Sequence, residues 1–330
     1  PHSVQFYRQQ LQWLGGMGII VLAVAILPIL GVGGMQLYRA ETPGPVKDNK
    51  MTPRIADTAK HLWYIYLSIT IACGGAYWLA GMNVFDSICH AFSTVAIGGF
   101  SNHDASLGYF NSPMVNVVCT VFLLIAALNF SLHYAAVSSR SVKGYFKDPE
   151  FKAFFIIQAS LIGICFLVLT LSGYYTSAEQ ALDQAMIQAV SISTTAGFAT
   201  TDFSIWPTFL PIMLIFSSFI GGCASSTGGG LKVVRVCLLF LQGKREVDRL
   251  IHPKAVYSVK FGDRAMPDRV VEAVWGFFSA YAVVFVVLMI GLIATGLDNL
   301  SAFTATAAML NNLGPGLGSV AANYADVTDA

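Results

Sequence analysis

Charge is scarce in this 330-residue chain. Only 11% of its residues are Asp, Glu, Lys or Arg, whereas 55% are hydrophobic, and the mean hydropathy is +0.63. A soluble domain carries roughly 25% charged residues. The composition therefore excludes an ordinary soluble protein and predicts an integral membrane protein. The net charge of +1 gives no indication of a nucleic-acid partner.

Motifs for disulfides, metal sites and nucleotides are also missing. The six cysteines form no CxxC pair and are scattered through apolar segments, so we expect buried thiols and not a disulfide framework. The stretch GGCASSTGGGLK (221–232) lacks the G-x-x-x-x-G-K-[ST] spacing of a phosphate-binding loop. We expect neither an enzyme nor an organic cofactor, and no nucleic-acid-binding module is recognisable.

Six apolar segments are long enough to cross a bilayer core of about 30 Å, which requires about 20 helical residues. They are 11–35, 61–81, 113–137, 152–172, 208–240 and 271–295. Three further segments are too short to span the core and too apolar for exposed loops: 84–95, 179–192 and 299–310. Segments of half this length are typical of re-entrant helices.

The basic residues predict which side of the membrane each connection faces. Of 19 Lys and Arg residues, 16 fall in the connections 36–60, 138–152 and 241–270. The stretches 82–112, 173–207 and 295–330 contain none. Since cytoplasmic loops collect Lys and Arg, we expect the three basic connections inside and the half-helices to enter from outside. Besides setting topology, these connections are candidates for docking a cytoplasmic partner.

A half-helix, a glycine loop and a long helix recur along the chain. FDSICHAFSTVAIGGFS (85–101) and LDQAMIQAVSISTTAGFAT (182–200) each have an acid near their start, Asp86 or Asp183. A looser copy, LSAFTATAAMLNNLGPGLG (300–318), ends in a similar loop. The pattern predicts an all-α polytopic membrane protein whose helix–re-entrant pore loop–helix units surround a pseudo-fourfold axis. Two units are complete and two are halves, so we expect the chain to be part of a longer protein.

The glycine loops have the chemistry of an ion filter. The C-terminal end of a helix carries about −0.5 charge, which favours a cation. An extended glycine loop beyond that end can turn backbone carbonyls inward, and carbonyls can replace the hydration shell of an alkali cation. Each loop therefore resembles one quarter of a selectivity filter. One central glycine in each loop predicts weaker discrimination among K⁺, Rb⁺ and Na⁺ than a dedicated potassium channel achieves.

Several motifs resemble a known family. STTAGFATT, IGGCASSTGGGLKVVR, LNNLGPGLG, AIGGFS and FYRQQLQWLGGMGIIVLAVAILP are similar to the membrane subunits of Trk-type potassium uptake systems, in the wider Trk/Ktr/HKT superfamily. The resemblance covers essentially the whole chain. It implies potassium uptake through a central pore in the bacterial inner membrane, a homodimer, and a TrkA-like cytoplasmic regulatory subunit that binds nucleotides. It also implies a first filter and a closing helix with a pore-facing arginine, which this sequence does not contain.

The resemblance assigns the ion-facing carbonyls to three triplets of residues. These are Ile97, Gly98 and Gly99; Thr195, Ala196 and Gly197; and Asn312, Leu313 and Gly314. The transported cation is expected to be K⁺, with Rb⁺ or Na⁺ as alternatives. The corresponding division of the chain is a closing helix at 1–38, a second repeat at 39–140, a third at 141–245 and an incomplete fourth at 246–330.

The segment 208–240 is predicted to be a broken helix. As one straight helix it would be about 50 Å long, and GGCASSTGGG (221–230) holds five glycines, each costing roughly 1 kcal/mol relative to alanine. We expect a helix, an intramembrane loop below the filter, and a second helix from near Leu231. The loop is a candidate gate formed by Gly221, Gly222, Ala224, Ser225, Ser226, Thr227, Gly228, Gly229 and Gly230. Lys232 and Arg235 follow it and are candidates to line the inner vestibule.

Two alternatives stay open. The first is a proton- or sodium-coupled secondary transporter with alternating access, for which His133 and Asp183 are the candidate coupling groups. Packing at a helix end is the simpler interpretation of His133. The second alternative is that the 221–230 glycines form a close-packing site between helices and not a gate.

Overall fold

The computed structural model describes residues 2–21, 55–321 and 324. The second half of the first predicted span and most of the basic connection 36–60 lie outside the described residues. The described chain is overwhelmingly helical. Its α-helices are α1 His2–Val21, α2 Ile55–Leu79, α3 Val84–Val95, α4 Pro113–Ala126, α5 Phe130–Ser139, α6 Lys143–Lys147, α7 Pro149–Leu171, α8 Ala178–Ser193, α9 Leu210–Ser218, α10 Val233–Ile251, α11 Asp268–Ala294 and α12 Asn299–Asn311.

Short elements connect these helices. Single 3₁₀ turns lie at Ser106–Phe110, Phe203–Ile205 and Gly318–Val320. A two-residue hairpin pairs β1 (Lys260–Phe261) antiparallel with β2 (Arg264–Ala265), in the register Lys260 to Ala265. The third basic connection, 241–270, is therefore largely ordered: its first part is the end of α10 and its last part is the start of α11.

The three half-helices form where the sequence predicts them, as α3, α8 and α12. Each is capped by a side chain that accepts the backbone N–H three residues later. Asn83 Oδ1 accepts the N–H of Asp86 at 2.8 Å, and Ser177 Oγ accepts that of Gln180 at 3.2 Å. Asp298 caps α12 in the same way, and hydrogen bonds from Ser301 lower the pKa of its carboxyl. A polar cap at the start of each half-helix satisfies N–H groups that have no intrahelical partner.

Fewer uninterrupted spans form than the six predicted. In the described chain, three helices are long and apolar enough to cross a membrane: Ala59–Leu79, Pro149–Leu171 and Asp268–Ala294. The predicted span 113–137 is wrong as a single helix, because it bends by 88° between α4 and α5. Asn129 causes the new start, since its side chain accepts the N–H of Ser131 at 2.9 Å and so caps α5.

The segment 208–240 breaks as its glycines predict. Helix α9 ends at Ser218, and α10 begins at Val233, two residues after the expected start. Between them the backbone is irregular yet largely buried. Non-helical backbone at membrane depth survives only when it is packed inside protein or lines water, so this segment lies within the helical assembly.

Three apolar clusters hold the half-helices in place. The first lies around α3 and includes Tyr66, Leu123 and Phe130, while the second lies around α8 and α12 and includes Leu169 and Leu214. A third cluster joins the intramembrane loop and α10 to the hairpin and α11. The half-helices themselves carry many buried polar residues, so the apolar packing surrounds a polar centre.

Candidate ion pathway

The three half-helices end in the same backbone turn. In each, the first residue of the triplet donates its N–H to a carbonyl three residues earlier, as Thr195 does to Ile192 at 3.0 Å. The second residue donates to a carbonyl five residues earlier. These bonds are Gly98 to Ser93 at 2.8 Å, Ala196 to Ser191 at 2.8 Å and Leu313 to Ala308 at 2.7 Å. The N–H groups of the first two residues in each turn are thus directed back into their helices.

Each triplet has positive φ at its first and third positions. The first positions are Ile97 (φ 53°), Thr195 (φ 68°) and Asn312 (φ 60°), and the third are Gly99 (φ 72°), Gly197 (φ 82°) and Gly314 (φ 100°). Asn tolerates this region, but the β-branched Ile and Thr are strained there. Strain of this kind persists only where the surroundings enforce it, and it clusters at functional sites.

Neighbouring triplets approach each other too closely for side chains. A β-carbon placed on Gly99 would lie 1.7 Å from the carbonyl oxygen of Ala196. A β-carbon on Gly197 would lie 2.1 Å from the carbonyl oxygen of Leu313. The structure therefore brings the second, third and fourth predicted filter loops together in one ring segment, with glycine required at each contact.

Polar side chains form hydrogen bonds with backbone groups that follow the triplets. Ser191 Oγ donates to the carbonyl of Phe198 at 2.7 Å, and Gln188 Nε2 donates to that of Thr201 at 3.0 Å. In the fourth repeat, Thr304 Oγ1 accepts the N–H of Leu317 at 2.9 Å. Sequence reasoning missed these supports. The signal was the density of Ser, Thr and Gln within segments that are otherwise apolar.

A further group of polar side chains forms hydrogen bonds around the loop that follows α3. His90 Nδ1 donates to the carbonyl of Asp86 at 2.8 Å, so its Nε2 accepts the hydroxyl of Ser101 at 2.9 Å. The Asp86 carboxylate contacts His103 Nε2 at 3.0 Å and accepts from Asn102 at 3.1 Å. Asp86 lies in the first turn of α3, as expected.

Asp183 is a correction to the expected pattern. It is the sixth residue of α8, and the acid in the first turn is Glu179. The Asp183 carboxylate instead accepts a hydrogen bond from Asn116 Nδ2 on α4 at 2.7 Å. The position in α8 that corresponds to Asp86 in α3 is Gln184, whose side-chain oxygen accepts the hydroxyl of Thr200 at 2.5 Å.

The intramembrane loop 221–230 lies against the ends of all three half-helices. Thr227 Oγ1 donates to the carbonyl of Val95 at 3.1 Å. β-Carbons placed on Gly228 and Gly229 would lie 2.9 Å from the carbonyl oxygen of Thr194 and 2.0 Å from that of Asn311. One loop therefore covers three helix ends whose partial charge favours cations.

The loop is also held at the bend between α4 and α5. Cys223 donates its N–H to the carbonyl of Ala127 at 2.8 Å, and Phe130 donates its N–H to the carbonyl of Ser225 at 3.2 Å. The break in α4–α5 leaves these two backbone groups for the loop. The two irregular segments of neighbouring repeats thus satisfy each other's backbone, which membrane burial requires.

A model of the family described as "TrkH: Cation transport protein" matches residues 1–330. This chain belongs to the TrkH family. The Trk system potassium uptake protein TrkH of Vibrio parahaemolyticus is 68% identical over 331 residues, covering 100% of this chain and 68% of the relative. The Trk system potassium uptake protein TrkG of Escherichia coli K12 is 43% identical, covering 100% of this chain and 68% of the relative.

A solved structure gives the same family. The crystal structure of the potassium transporter TrkH from Vibrio parahaemolyticus matches with a TM-score of 0.89 at 64% identity, covering 99% of this chain and 67% of that chain. The predicted family and the predicted fold, a polytopic helical membrane protein with pore-loop repeats, are confirmed.

The candidate cation ligands of this TrkH-family chain are backbone oxygens. In the described residues, no group of three or more His, Cys, Asp or Glu side chains is placed to hold a metal ion. His133 is engaged at both ring nitrogens: Nε2 donates to the carbonyl of Ile125 at 3.0 Å, and Nδ1 accepts the hydroxyl of Tyr145 at 2.6 Å. This geometry favours a packing role for His133 over a role in coupling.

The two basic residues after the intramembrane loop have different surroundings. Lys232 is 8% exposed, and its ammonium donates to the carbonyls of Gly228 and Ser226 within the loop. Arg235 donates to the carbonyl of Leu231 at 3.1 Å, and its guanidinium lies 4.5 Å from the ring centroid of Phe277 on α11. Lys232 therefore acts on the loop, whereas Arg235 joins α10 to α11.

Proposed function

We propose that this chain forms most of the pore of a potassium uptake protein in the bacterial inner membrane. The observation that carries the proposal is the close approach of three identical helix-terminal turns, each with positive φ at its first and third residues. The named activity of the relatives, potassium uptake, agrees with it. K⁺ is the proposed cargo, with Rb⁺ and Na⁺ as poorer substrates.

The proposed filter consists of the carbonyls of residues 97–99, 195–197 and 312–314. Because the N–H groups of each turn bond back into the helix, the carbonyls beyond the helix remain to replace water around the ion. The half-helix C-termini add partial negative charge at the same place. The Ser, Gln and Thr supports hold the loops open against collapse toward the ion.

The proposed gate is the loop 221–230. It lies across the cytoplasmic approach to the filter. It is held by hydrogen bonds such as that from Thr227 to the carbonyl of Val95, and by apolar packing of Cys223 and Ala224. A polar loop with two hydrogen-bonded arrangements is a suitable element for a regulator to bias. The close-packing alternative requires the loop to stay in place during transport.

The remaining parts of the proposal concern assembly. The four-part division of the chain given above stands as a proposal, as does a homodimer. The connections 36–60, 138–152 and 241–270 are proposed to be cytoplasmic. A nucleotide-binding regulatory subunit is proposed to dock on the third, where exposed Lys244, Arg249 and Lys254 lie beside the exposed apolar side chains of Leu250 and Val256.

Ion flux through the full-length protein in liposomes tests this function. We expect K⁺ flux to exceed Na⁺ and Li⁺ flux, with Rb⁺ close to K⁺. A variant shortened within 225–229 should raise K⁺ flux and leave that ion order unchanged. Passive single-channel currents would support a pore, whereas strictly coupled transport without such currents would favour alternating access. Unchanged flux in a well-folded shortened variant would show that the loop is packing.

A further inference from the structure

The intramembrane loop presents two kinds of backbone group that need partners. Its irregular path leaves N–H and C=O groups outside any helix, and no membrane lipid can satisfy them. Two buried side chains of opposite charge contact these groups: one accepts from N–H groups, and the other donates to carbonyl groups. Glu150, at the start of α7, is 4% exposed, and Lys232, just before α10, is 8% exposed.

Glu150 binds the N–H groups. Its Oε1 accepts the N–H of Ala224 in the loop at 2.7 Å and that of Val234 in the first turn of α10 at 3.3 Å. One carboxylate oxygen thus joins the loop to the helix that follows it. A carboxylate at a helix N-terminus is further stabilised by the helix dipole.

Lys232 binds the carbonyl groups. Its ammonium donates to the carbonyl oxygens of Gly228 and Ser226, so a fixed cation occupies backbone oxygens beside the half-helix ends. The residue has φ 78°, a strained value for a lysine. Strain retained at a buried lysine indicates that this contact is enforced by its surroundings.

The hairpin β1–β2 contacts the residue that precedes Glu150. The hairpin turn places Gly262 against Pro149, such that a β-carbon there would lie 3.1 Å from Pro149 Cγ. Pro149 immediately precedes Glu150. The hairpin residues Val259 and Met266 also share an apolar cluster with Ala224 of the loop.

We infer that Glu150 and Lys232 form a clamp that holds the intramembrane loop in its present position, and that the hairpin acts on the loop through Pro149 and Glu150. The inference rests on the proposed gating role of the loop. Glu150 and Lys232 are positioning residues, since neither belongs to the filter. Displacing the hairpin moves the start of α7, lengthens the Glu150 contacts and frees the loop.

The test uses Glu150→Gln and Lys232→Met in the full-length protein, with K⁺ flux measured in liposomes. Hydrogen bonds to a charged group are roughly twice as strong as neutral ones, so each variant should raise flux by about tenfold, equivalent to about 1.4 kcal/mol in the closed-to-open balance. Relative flux of K⁺, Rb⁺ and Na⁺ should stay unchanged. Lys232→Arg keeps the charge and should remain near wild type.

Matched control variants show whether an effect on flux is specific to the clamp or follows from the loss of any acidic residue or any glycine. Glu179→Gln changes an exposed acid in the first turn of α8 and should have no effect on flux. Gly262→Ala should raise flux by pressing on Pro149, whereas Gly173→Ala, at the same φ of 63° but with nothing within 4 Å of the added β-carbon, should not.

Combination with the shortened loop distinguishes failure of the clamp from failure of the gate. If the shortened loop raises flux, Glu150→Gln should add nothing to it; wild-type flux in both Glu150→Gln and Lys232→Met would overturn the clamp.

If the shortened loop leaves flux unchanged, the proposed gate is wrong. Amide hydrogen exchange then decides the clamp alone: Glu150→Gln should speed exchange at Ala224 and Val234, and unchanged exchange would overturn it. If Glu150→Gln does not fold, Lys232→Met replaces it, with K⁺ flux and amide exchange across 221–230 as the two measurements.

Discussion

The side chain of Thr195 joins the proposed filter to the intramembrane loop. Its Oγ1 accepts the N–H of Gly229 at 2.7 Å, across 34 positions of sequence. Thr195 is also the first residue of the triplet in the third repeat and has φ 68°. Thr195 therefore links the backbone of the proposed filter to the loop, so a movement of either displaces this hydrogen bond.

Thr195→Val should loosen the loop without removing any filter carbonyl. Valine keeps the branched shape but leaves the Gly229 N–H without this acceptor, at a cost of about 1–3 kcal/mol. We expect higher K⁺ flux in liposomes and faster amide exchange at Gly229. Thr195→Ser keeps the hydroxyl and is the matched control. Equal exchange at Gly229 in the two variants would contradict this role.

Substituting the third residue of a triplet should damage ion discrimination. In Gly99→Ser and Gly197→Ser, the new β-carbon would overlap the carbonyl oxygen of the neighbouring triplet, at 1.7 and 2.1 Å. The preference for K⁺ over Na⁺ should fall in uptake competition assays in cells that depend on this protein for potassium.

Gly98→Ala provides the control for this prediction. The three atoms nearest to its β-carbon all belong to the flexible end of the Gln12 side chain, at 2.5–2.7 Å, and the equivalent position of the third repeat already holds Ala196. Near-normal preference is therefore expected. If Gly99→Ser and Gly197→Ser kept wild-type preference and affinity, the triplets would not form the filter.

The sequence predicted the half-helices well because their signals are local. Length, apolar content and a polar cap such as Asn83 or Ser177 all lie within a few residues of each helix start. The break at 221–230 was equally visible, because five glycines oppose a continuous helix within ten positions. These features depend on the backbone and on neighbouring residues alone.

The missed features depend on contacts between distant segments. The local signal of the 88° bend is weak: Asn129 can cap a new helix, but Ala126, Ala127 and Leu128 are all compatible with a continuous one. The bend becomes stable because Ala127 and Phe130 give their freed backbone groups to a loop almost one hundred residues away. Glu150 was likewise unremarkable as an acid near a helix start, because its partner Ala224 lies 74 residues further along the chain.

Ser191→Ala should weaken the third filter loop selectively. The Ser191 hydroxyl is fully buried and donates to the Phe198 carbonyl at 2.7 Å, directly after the triplet. Removing it leaves that carbonyl without this donor, so ion preference should decrease along with thermal stability. Ser193→Ala removes a hydroxyl that donates to Gln158 Oε1 on α7 at 2.9 Å, away from the triplet. This variant should lose stability but keep its ion preference, and a matching loss of preference would contradict the assignment.

The basic residues at the end of α10 should divide into a docking pair and a structural residue. Lys244 and Arg249 are exposed, whereas Arg245 is 8% exposed and contacts the Asp268 carboxylate at 2.6 Å, which ties α10 to α11. We therefore expect Arg245 to hold α10 against α11 and not to dock the regulator, because its guanidinium is already engaged.

Charge reversal tests this division directly. The double variant Lys244→Glu with Arg249→Glu should weaken pull-down of the cytoplasmic regulator at least tenfold while leaving thermal stability near wild type, because exposed charges contribute little to folding. Arg245→Gln should instead lower thermal stability, since the α10–α11 connection loses a charged hydrogen bond of about 1.5–3 kcal/mol. Salt should weaken regulator binding to the wild type more than to the double variant. Unchanged pull-down by the double variant would place the docking surface elsewhere on the cytoplasmic face.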